Sequence, residues 1–103
     1  MRQGEWTFLS NHGHVLVALA RVPDARTRDV AEAVGITERA VQQIVRDLVV
    51  RGFLRKEKVG RRNRYDVVRR AHFRHDLESG VTLGTFLDLV VGGVHPTSGR
   101  STK

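Results

Sequence analysis

Positive charge in this chain is concentrated in one short stretch. Residues 51–74 hold ten Lys or Arg side chains and only two acidic ones, Glu57 and Asp66, so the stretch has a net charge of +8. The whole 103-residue chain carries a formal charge of +7, and the remainder therefore sums to −1. Lysine and arginine form charge-assisted hydrogen bonds with phosphate oxygens, and arginine does so through two parallel N–H groups. The cluster indicates a polyanionic partner, with nucleic acid the first choice.

The pattern within the basic stretch is typical of a β-hairpin, which we call the wing (residues 54–68). Strands are predicted at Leu54–Val59 and Arg64–Val68, joined by a turn at Gly60-Arg61-Arg62-Asn63. A membrane surface would also attract basic residues, but usually through an amphipathic helix, and Gly60 interrupts this stretch. The residues expected on the buried side of the wing are Phe53, Val59, Tyr65 and Val67.

Five basic side chains of the wing are candidates for contact with DNA. A narrow minor groove has an enhanced negative potential, which favours an inserted arginine. Arg61 and Arg62 at the tip, with Arg64 beside them, are suited to that groove. Lys56 and Lys58 share one face of the first strand and are expected to follow phosphates.

Helical periodicity precedes the wing. A first helix is expected to begin after Ser10 or Asn11, either of which can cap it, and to end before Pro23. A second, shorter helix is expected to have Thr27 as its N-cap and Gly35 at its end. These two helices come directly before the segment that carries the clearest DNA-binding pattern.

The second helix and a third one, residues 37–51 with Thr37 as N-cap, have the spacing of a helix-turn-helix. Ala31 is expected where the two helices cross, and Gly35 lies in the turn, where glycine adopts a positive φ most easily. Val41 is expected to fill the gap between the helices. A plain three-helix core is the alternative, and it leaves the basic wing without a role. The apolar residues expected to support the crossing are Val30, Val34, Ile36 and Ile44.

If the third helix enters a major groove, the side opposite its apolar stripe reads the bases. Arginine pairs with O6 and N7 of guanine, and glutamine pairs with N6 and N7 of adenine. A merely solvated surface is the alternative for each exposed side chain taken singly. The residues expected to contact bases are Arg39, Gln42 and Gln43. Those expected to contact phosphate are Thr37 and Arg46.

The C-terminal part of the chain carries more apolar surface than a small domain can bury. A last helix is predicted from Leu83 to about Val91, with Thr82 as its N-cap. Trp6 and Phe8 add apolar surface ahead of the first helix. We expect this surplus to form a homodimer interface, and the alternative is that both ends fold over the core. The residues assigned to dimerisation are Leu83, Phe86, Leu87 and Val90.

The expected fold class is mainly α with a small β-hairpin wing, a winged helix-turn-helix. Four parts are predicted along the chain. Residues 1–10 form an N-terminal arm, 11–70 the DNA-binding domain, 71–92 a linker and the C-terminal helix, and 93–103 a disordered tail.

The histidines are weak candidates for metal ligands. His72, His75 and Asp76 have a spacing that could bind a metal on a helix, with His12 and His14 as possible partners. Histidines on a polar surface are the favoured alternative, because the stretch is irregular. The sequence therefore predicts no metal and no cofactor.

Other classes of protein find little support in the residues. There is no Gly-rich phosphate loop, nucleophile elbow or paired-carboxylate motif, so an enzyme is not expected. The chain has no cysteine, and it shows neither a secretory signal nor an apolar run of membrane-spanning length. A cytoplasmic protein is expected.

Over about Asn11–Val68 the chain resembles winged helix-turn-helix transcriptional regulators of the MarR or ArsR type. The matching residues are Arg28–Thr37 and Val41–Leu54, where Arg51-Gly52-Phe53-Leu54 leads the recognition helix into the wing. The wing tip is more compact than in MarR-type proteins, and the cysteines of metal-sensing ArsR-type proteins are missing. The resemblance implies a homodimer that binds a palindromic operator in double-stranded DNA and represses transcription, often until a ligand releases it.

Two other uses of the same fold remain open. One is binding of RNA or of DNA without sequence preference, which would make the recognition-helix side chains dispensable while the wing stays essential. The other is a protein-interaction module, which would not need arginines at a wing tip.

Overall fold

A computed structural model of the protein describes residues 6–94. For residues 93 and 94 it describes the main chain alone. The predicted fold class is confirmed: a helix-turn-helix is followed by an antiparallel hairpin and a further helix. In chain order the elements are α1 (Asn11–Arg21), α2 (Thr27–Val34), α3 (Glu38–Val50), β1 (Leu54–Val59), β2 (Arg62–Val67), a short 3₁₀ turn (Asp76–Glu78) and α4 (Leu83–Val94).

The first helix begins and ends as its sequence predicts. The hydroxyl of Ser10 accepts a hydrogen bond from the N–H of Gly13 at 3.3 Å, which satisfies one of the free donors of the first turn. The helix ends at Arg21, two residues before Pro23. One face of α1 is buried in the core through Val15, Leu16 and Leu19.

The expected cap of α2 is wrong by one residue. The main chain is still extended at Arg26, so Arg26 occupies the N-cap position and Thr27 is already the first helical residue. Arg26 makes no side-chain cap bond, and its Nε contacts Oδ2 of Asp29 at 3.3 Å instead. At the other end Gly35 is left-handed with φ of 87°, as predicted.

The start of α3 is closed by the predicted residue, Thr37, and its end is closed by Gly52. The hydroxyl of Thr37 accepts from the N–H of Ala40 at 3.0 Å. After the helix, Gly52 is left-handed with φ of 85°, and its N–H donates to the carbonyl of Val49. The N–H of Phe53 donates to the carbonyl of Leu48 at 2.8 Å. This pair of bonds is a Schellman motif, and it turns the chain from α3 directly into β1.

The turn of the wing is tighter than the sequence predicted. Val59 pairs with Arg62, so the loop contains only Gly60 and Arg61. Gly60 has φ of 62°, which fits the type II′ turn that matches the twist of a two-residue hairpin. Arg62 and Asn63, expected in the turn, therefore belong to β2.

The burial of side chains in the wing also differs from the prediction at the base and at the tip of the hairpin. Leu54, at the base of the wing opposite Val67, is only 2% exposed and belongs to the core. Val59 was expected to be buried and is 56% exposed, because the tip of the hairpin extends beyond the core. The predicted packing of the remaining residues against the core is confirmed for Phe53, Tyr65 and Val67.

The outer edge of β2 is covered by the loop between α1 and α2. The N–H of Tyr65 donates to the carbonyl of Pro23 at 2.9 Å. The guanidinium of Arg62 donates to the carbonyl of Asp24. The wing is thus attached to the helical part at its edge as well as at its base.

The last helix packs on the same core. Thr82 caps it as predicted, with its hydroxyl accepting from the N–H of Thr85 at 3.2 Å. The helix continues to Val94, beyond the expected end, so the start of the predicted tail is helical. The rest of that tail (95–103) and the first half of the predicted arm (1–5) lie outside the described residues.

The predicted helix-turn-helix packing is confirmed by burial of the side chains. Ala31 and Val41 are 6% and 2% exposed, as expected for residues between two crossing helices. Leu83 and Leu87 of α4 complete the core from the opposite side, with exposures of 5% and 4%. The other buried core residues are Val15, Leu16, Leu19, Val30, Val34, Ile44, Leu48 and Leu54. Within residues 6–94, no helix is long and apolar enough to cross a membrane.

Candidate nucleic-acid interface

The exposed side of α3 carries the side chains that were expected to read bases. Val41, Ile44 and Leu48 face the core, and the opposite side of the helix is polar and open to solvent. The exposed residues of this side are Glu38, Arg39, Gln42, Gln43 and Arg46. Their common exposure follows from the 3.6-residue period of the helix, which the apolar stripe had already fixed.

Part of this exposed side is linked by side-chain hydrogen bonds. Nη1 of Arg46 donates to Oε1 of Gln43 at 3.0 Å, and Nε2 of Gln43 donates to Oδ1 of Asp47 at 3.1 Å. Oδ2 of Asp47 lies 3.1 Å from Nε2 of His12 on α1. These bonds lower the pKa of the Asp47 carboxyl, with the His12 hydrogen bond the largest cause and the Gln43 bond next. No pattern in the sequence marked Asp47 or His12 as parts of this surface.

Two of the expected base-reading residues stand apart from that network. Arg39 and Gln42 are exposed, and within residues 6–94 neither takes part in a side-chain hydrogen bond. Thr37 is exposed at the start of α3, where its oxygen is used as a cap acceptor. Its hydroxyl hydrogen remains available as a donor to a phosphate oxygen.

The two faces of the wing differ in charge. On one face the acidic residues of the basic stretch pair with arginines across the strands: Glu57 lies opposite Arg64, and Asp66 lies opposite Arg55. Nε of Arg64 also contacts Oδ1 of Asp66 at 3.2 Å. The two acidic residues therefore offset two of the three arginines on that face, since Arg62, opposite Val59, lies on it as well.

The other face of the wing keeps its positive charge. Lys56 lies opposite Tyr65, and Lys58 lies opposite Asn63, so neither lysine has an acidic cross-strand neighbour. Both lysines are exposed. This lysine face adjoins α3, because Lys56 and Tyr65 line a groove of about 290 Å³ together with Gln42 and Arg46.

The three arginines expected in a minor groove occupy different environments. Arg61 is exposed at the tip of the wing, and no side-chain hydrogen bond holds it within the described part of the chain. Arg62 is bonded to the carbonyl of Asp24, and Arg64 contacts Asp66. Of these three arginines, Arg61 is therefore the one whose side chain has no hydrogen-bond partner within residues 6–94.

His14, His72 and His75 each make a separate hydrogen bond with a different part of the chain. Nδ1 of His72 lies 2.8 Å from the carbonyl of Ser79, and Nδ1 of His75 accepts from the N–H of Leu77 at 3.0 Å. His14 contacts the hydroxyl of Thr7. Within residues 6–94, no group of three or more His, Asp or Glu side chains is arranged to hold a metal ion.

A larger cavity of about 830 Å³ lies beside α1, and Ala25 and Val30 line both this cavity and the groove. Its walls are mostly apolar, with Leu9, Val17 and Val90 among them. His14 and Arg62 also line it, so the arginine that holds the wing borders this cavity. No spacing in the sequence indicated such a cavity, because its walls come from three separate helices and the wing.

Comparison with known proteins identifies a family. The MarR family model matches residues 8–64, which is more than half of the chain. No curated protein matches the sequence. The structure is similar to that of the PcaV transcriptional regulator from Streptomyces coelicolor, solved with its natural ligand, with a TM-score of 0.51 and 24% identity. That match covers 85% of this chain and 64% of PcaV, so the chain spans less than two thirds of that protein.

A second solved structure is similar at a lower level. It is the zinc-dependent MarR family transcriptional regulator AdcR in its Zn(II)-bound state, with a TM-score of 0.47 and 20% identity. The match covers 93% of this chain and 69% of that one. At 24% identity the likeness to PcaV concerns the fold, while the sequence match to the family model is independent of it. From its match over residues 8–64 and its winged helix-turn-helix fold, the chain belongs to the MarR family.

Proposed function

We propose that this protein is a sequence-specific transcriptional regulator that binds double-stranded DNA as a homodimeric repressor. One observation carries the proposal: the exposed polar side of α3 and the lysine face of the wing border the same groove. An α-helix fits the major groove of DNA, and a wing beside it reaches the backbone or the adjacent minor groove. The arrangement therefore presents base-reading and phosphate-binding groups to one duplex.

In this proposal α3 reads the major groove. Arg39, Gln42 and Gln43 supply the donors and acceptors that pair with guanine and adenine edges. Thr37 and Arg46 contact phosphates on either side of them. The 13 residues of α3 span about 20 Å, which is long enough to cross the groove.

The wing contributes affinity more than sequence preference. Arg61 is the side chain proposed to enter the minor groove, and Lys56 and Lys58 contact phosphates. Arg62 and Arg64, also expected at the DNA, already have protein partners, and we propose that they mainly hold the wing in position.

The homodimer proposal is supported by apolar side chains at the two ends of the described chain. Trp6, Phe8 and Leu89 are 78%, 93% and 74% exposed. Leu83 and Leu87, assigned to dimerisation from the sequence, are covered by the chain's own core, so a partner would not reach them. Phe86 and Val90 are half-buried. The proposed interface therefore involves the exposed residues beside them rather than the whole predicted stripe.

A competition experiment tests which nucleic acid the protein binds. A labelled duplex of mixed sequence is displaced by unlabelled duplex DNA, single-stranded DNA or hairpin RNA at physiological salt. The proposal predicts that duplex DNA is the most effective competitor. RNA that competes equally well would favour the alternative of a winged helix that binds nucleic acid without sequence preference. Failure of every nucleic acid to bind would leave the protein-interaction alternative.

A further inference from the structure

The hydrogen-bond network on α3 fixes the side chain of Gln43 from both ends. Gln43, Arg46 and Asp47 have the i, i+3, i+4 spacing that places side chains on one side of a helix. The Gln43 amide donates to Asp47 through Nε2 at 3.1 Å and accepts from Arg46 through Oε1 at 3.0 Å. The nitrogen and the oxygen of the Gln43 amide are therefore held by different side chains.

The chemistry of Asp47 determines which way the Gln43 amide points. An ionised carboxylate can only accept hydrogen bonds, and the lowered pKa of Asp47 keeps it ionised at neutral pH. The amide must then turn its NH₂ group toward Asp47 and its oxygen toward Arg46, which can only donate. Nε2 of His12, 3.1 Å from the second carboxylate oxygen, holds the carboxylate from α1.

Orientation of this amide matters for recognition of a base. A glutamine that binds adenine accepts from N6 and donates to N7, and an amide rotated by 180° presents the two groups in reverse order. After its bonds to Asp47 and Arg46, the Gln43 amide still has one N–H and one oxygen lone pair available. The network thus orients the amide without using up its capacity to bind a base.

We propose that Asp47 is a positioning residue that sets the amide orientation of Gln43 and, through it, the base that this position of the recognition helix prefers. The inference rests on the proposed function, because it requires that Gln43 contacts DNA. Asp47 itself need not touch a base. Its side chain is 41% exposed, so a substitution there leaves the buried core intact.

The experiment compares wild-type protein with Asp47→Ala, Gln43→Ala and the double variant, on a duplex selected by the wild type and on its single-base-pair variants. Asp47→Ala is expected to lower discrimination at one base-pair position by about tenfold, the size expected for a single bidentate pair with a base. Gln43→Ala is expected to lower it at the same position. In the Gln43→Ala background, Asp47→Ala should change discrimination no further, because the group that it orients is gone.

Two control variants separate orientation from charge. Asp88→Ala removes the same charge from α4, where Asp88 bonds Arg69, and is expected to leave base preference unchanged. Asp47→Asn removes the charge and keeps one oxygen that can accept from Gln43, but its NH₂ group can donate to the Gln43 oxygen instead, so its base preference is expected to lie between those of wild type and Asp47→Ala. A merely structural role of Asp47 would lower the midpoint of unfolding without changing which base is preferred.

Several outcomes would overturn the inference. One is an effect of Asp47→Ala that is equal on every duplex, as removal of charge alone would produce. Another is an additive effect of the two substitutions in the double variant. A wild-type protein that shows no sequence preference would overturn the proposed function and this inference with it. A wild-type preference that persists in Asp47→Ala would overturn this inference alone.

Discussion

The guanidinium of Arg62 on the wing donates a hydrogen bond to the main-chain carbonyl of Asp24, 38 residues earlier in the chain. One residue away on the same loop, the carbonyl of Pro23 accepts from the N–H of Tyr65. These two bonds hold the edge of β2 against the loop between α1 and α2. They fix the wing relative to the helices that it is proposed to assist on DNA.

Removal of the Arg62 side chain is expected to loosen the wing. Arg62→Ala should make the amide of Tyr65 exchange its hydrogen faster, because the neighbouring bond to Pro23 loses its support. The expected loss of stability is at most about 1 kcal/mol, the net contribution of one typical intramolecular hydrogen bond. Amide hydrogen exchange followed by NMR measures this, with Arg61→Ala as the matched control from the adjacent position. Equal exchange at Tyr65 in the two variants would contradict the role assigned to Arg62.

The lysine face of the wing is expected to dominate its contribution to salt-dependent binding. Lys56→Ala with Lys58→Ala should reduce the slope of log K against log salt by about 1.8, or about 0.9 for each phosphate that is no longer neutralised. Arg55→Ala removes a charge from the opposite face of the same strand, where Asp66 is its neighbour, and should change the slope less. The slopes are obtained from anisotropy titrations on one duplex at several salt concentrations. If Arg55→Ala reduced the slope by about 0.9, half of the change expected for the double lysine variant, the other face of the wing would be in contact with DNA.

The two threonines at helix starts are expected to differ in their effect on stability. Thr37→Ala removes a side-chain cap of α3 and should cost about 1 kcal/mol of unfolding free energy. Thr27→Ala should cost much less, because Thr27 makes no cap bond and lies inside the first turn of α2. Urea denaturation of both variants tests this pair. Equal destabilisation by the two substitutions would contradict the assignment of Thr37, but not Thr27, as a side-chain cap.

Acid is expected to weaken the contact between α1 and α3. The pKa of Asp47 is lowered by its bonds to His12 and Gln43, so ionised Asp47 favours the folded state. That contribution is present above the unfolded pKa of about 4 and disappears as the pH falls through the lower folded pKa. An NMR titration of the Asp47 carboxyl should give a value below that of an unstructured peptide, and His12→Ala should move it upward. A pKa that does not respond to His12→Ala would contradict the contact.

Association of two chains is expected to depend on the exposed apolar residues at the ends of the fold. Leu89→Ser and Phe8→Ser should each shift the protein toward monomer at micromolar concentration. Val50→Ser is the matched control, since Val50 is a similarly exposed apolar residue on α3. Sedimentation velocity measures the distribution of species. A wild-type protein that sediments as a monomer would contradict the dimer proposal.

Local chemistry made the helix-turn-helix predictable from sequence. Ala31, Gly35 and Val41 each have a requirement set by neighbours within about ten residues: a small side chain at a crossing, a positive φ, and an apolar plug. The caps at Ser10, Thr37 and Thr82 and the left-handed Gly52 follow from local backbone geometry in the same way.

The features that were missed depend on contacts distant in sequence. The register of the wing was set by a two-residue turn, which moved Arg62 into a strand and left Val59 exposed at the tip. No periodicity links Arg62 with Asp24, or His12 with Asp47, because each pair joins separate elements. The apolar stripe of α4 likewise could not show whether the chain itself or a partner covers Leu83. A helix needs the same apolar side chains whether it packs on its own core or on a second chain.

Selection from a random pool of duplex DNA at physiological salt, with sequencing of the bound fraction, tests the central proposal most directly. A dimer that reads the major groove with α3 should enrich an inverted repeat whose half-sites lie about one helical turn apart. The enriched sequence would also provide the duplex on which the α3 variants are compared. A bound fraction without enrichment, in which binding disappears as salt rises, would contradict sequence-specific recognition by this helix.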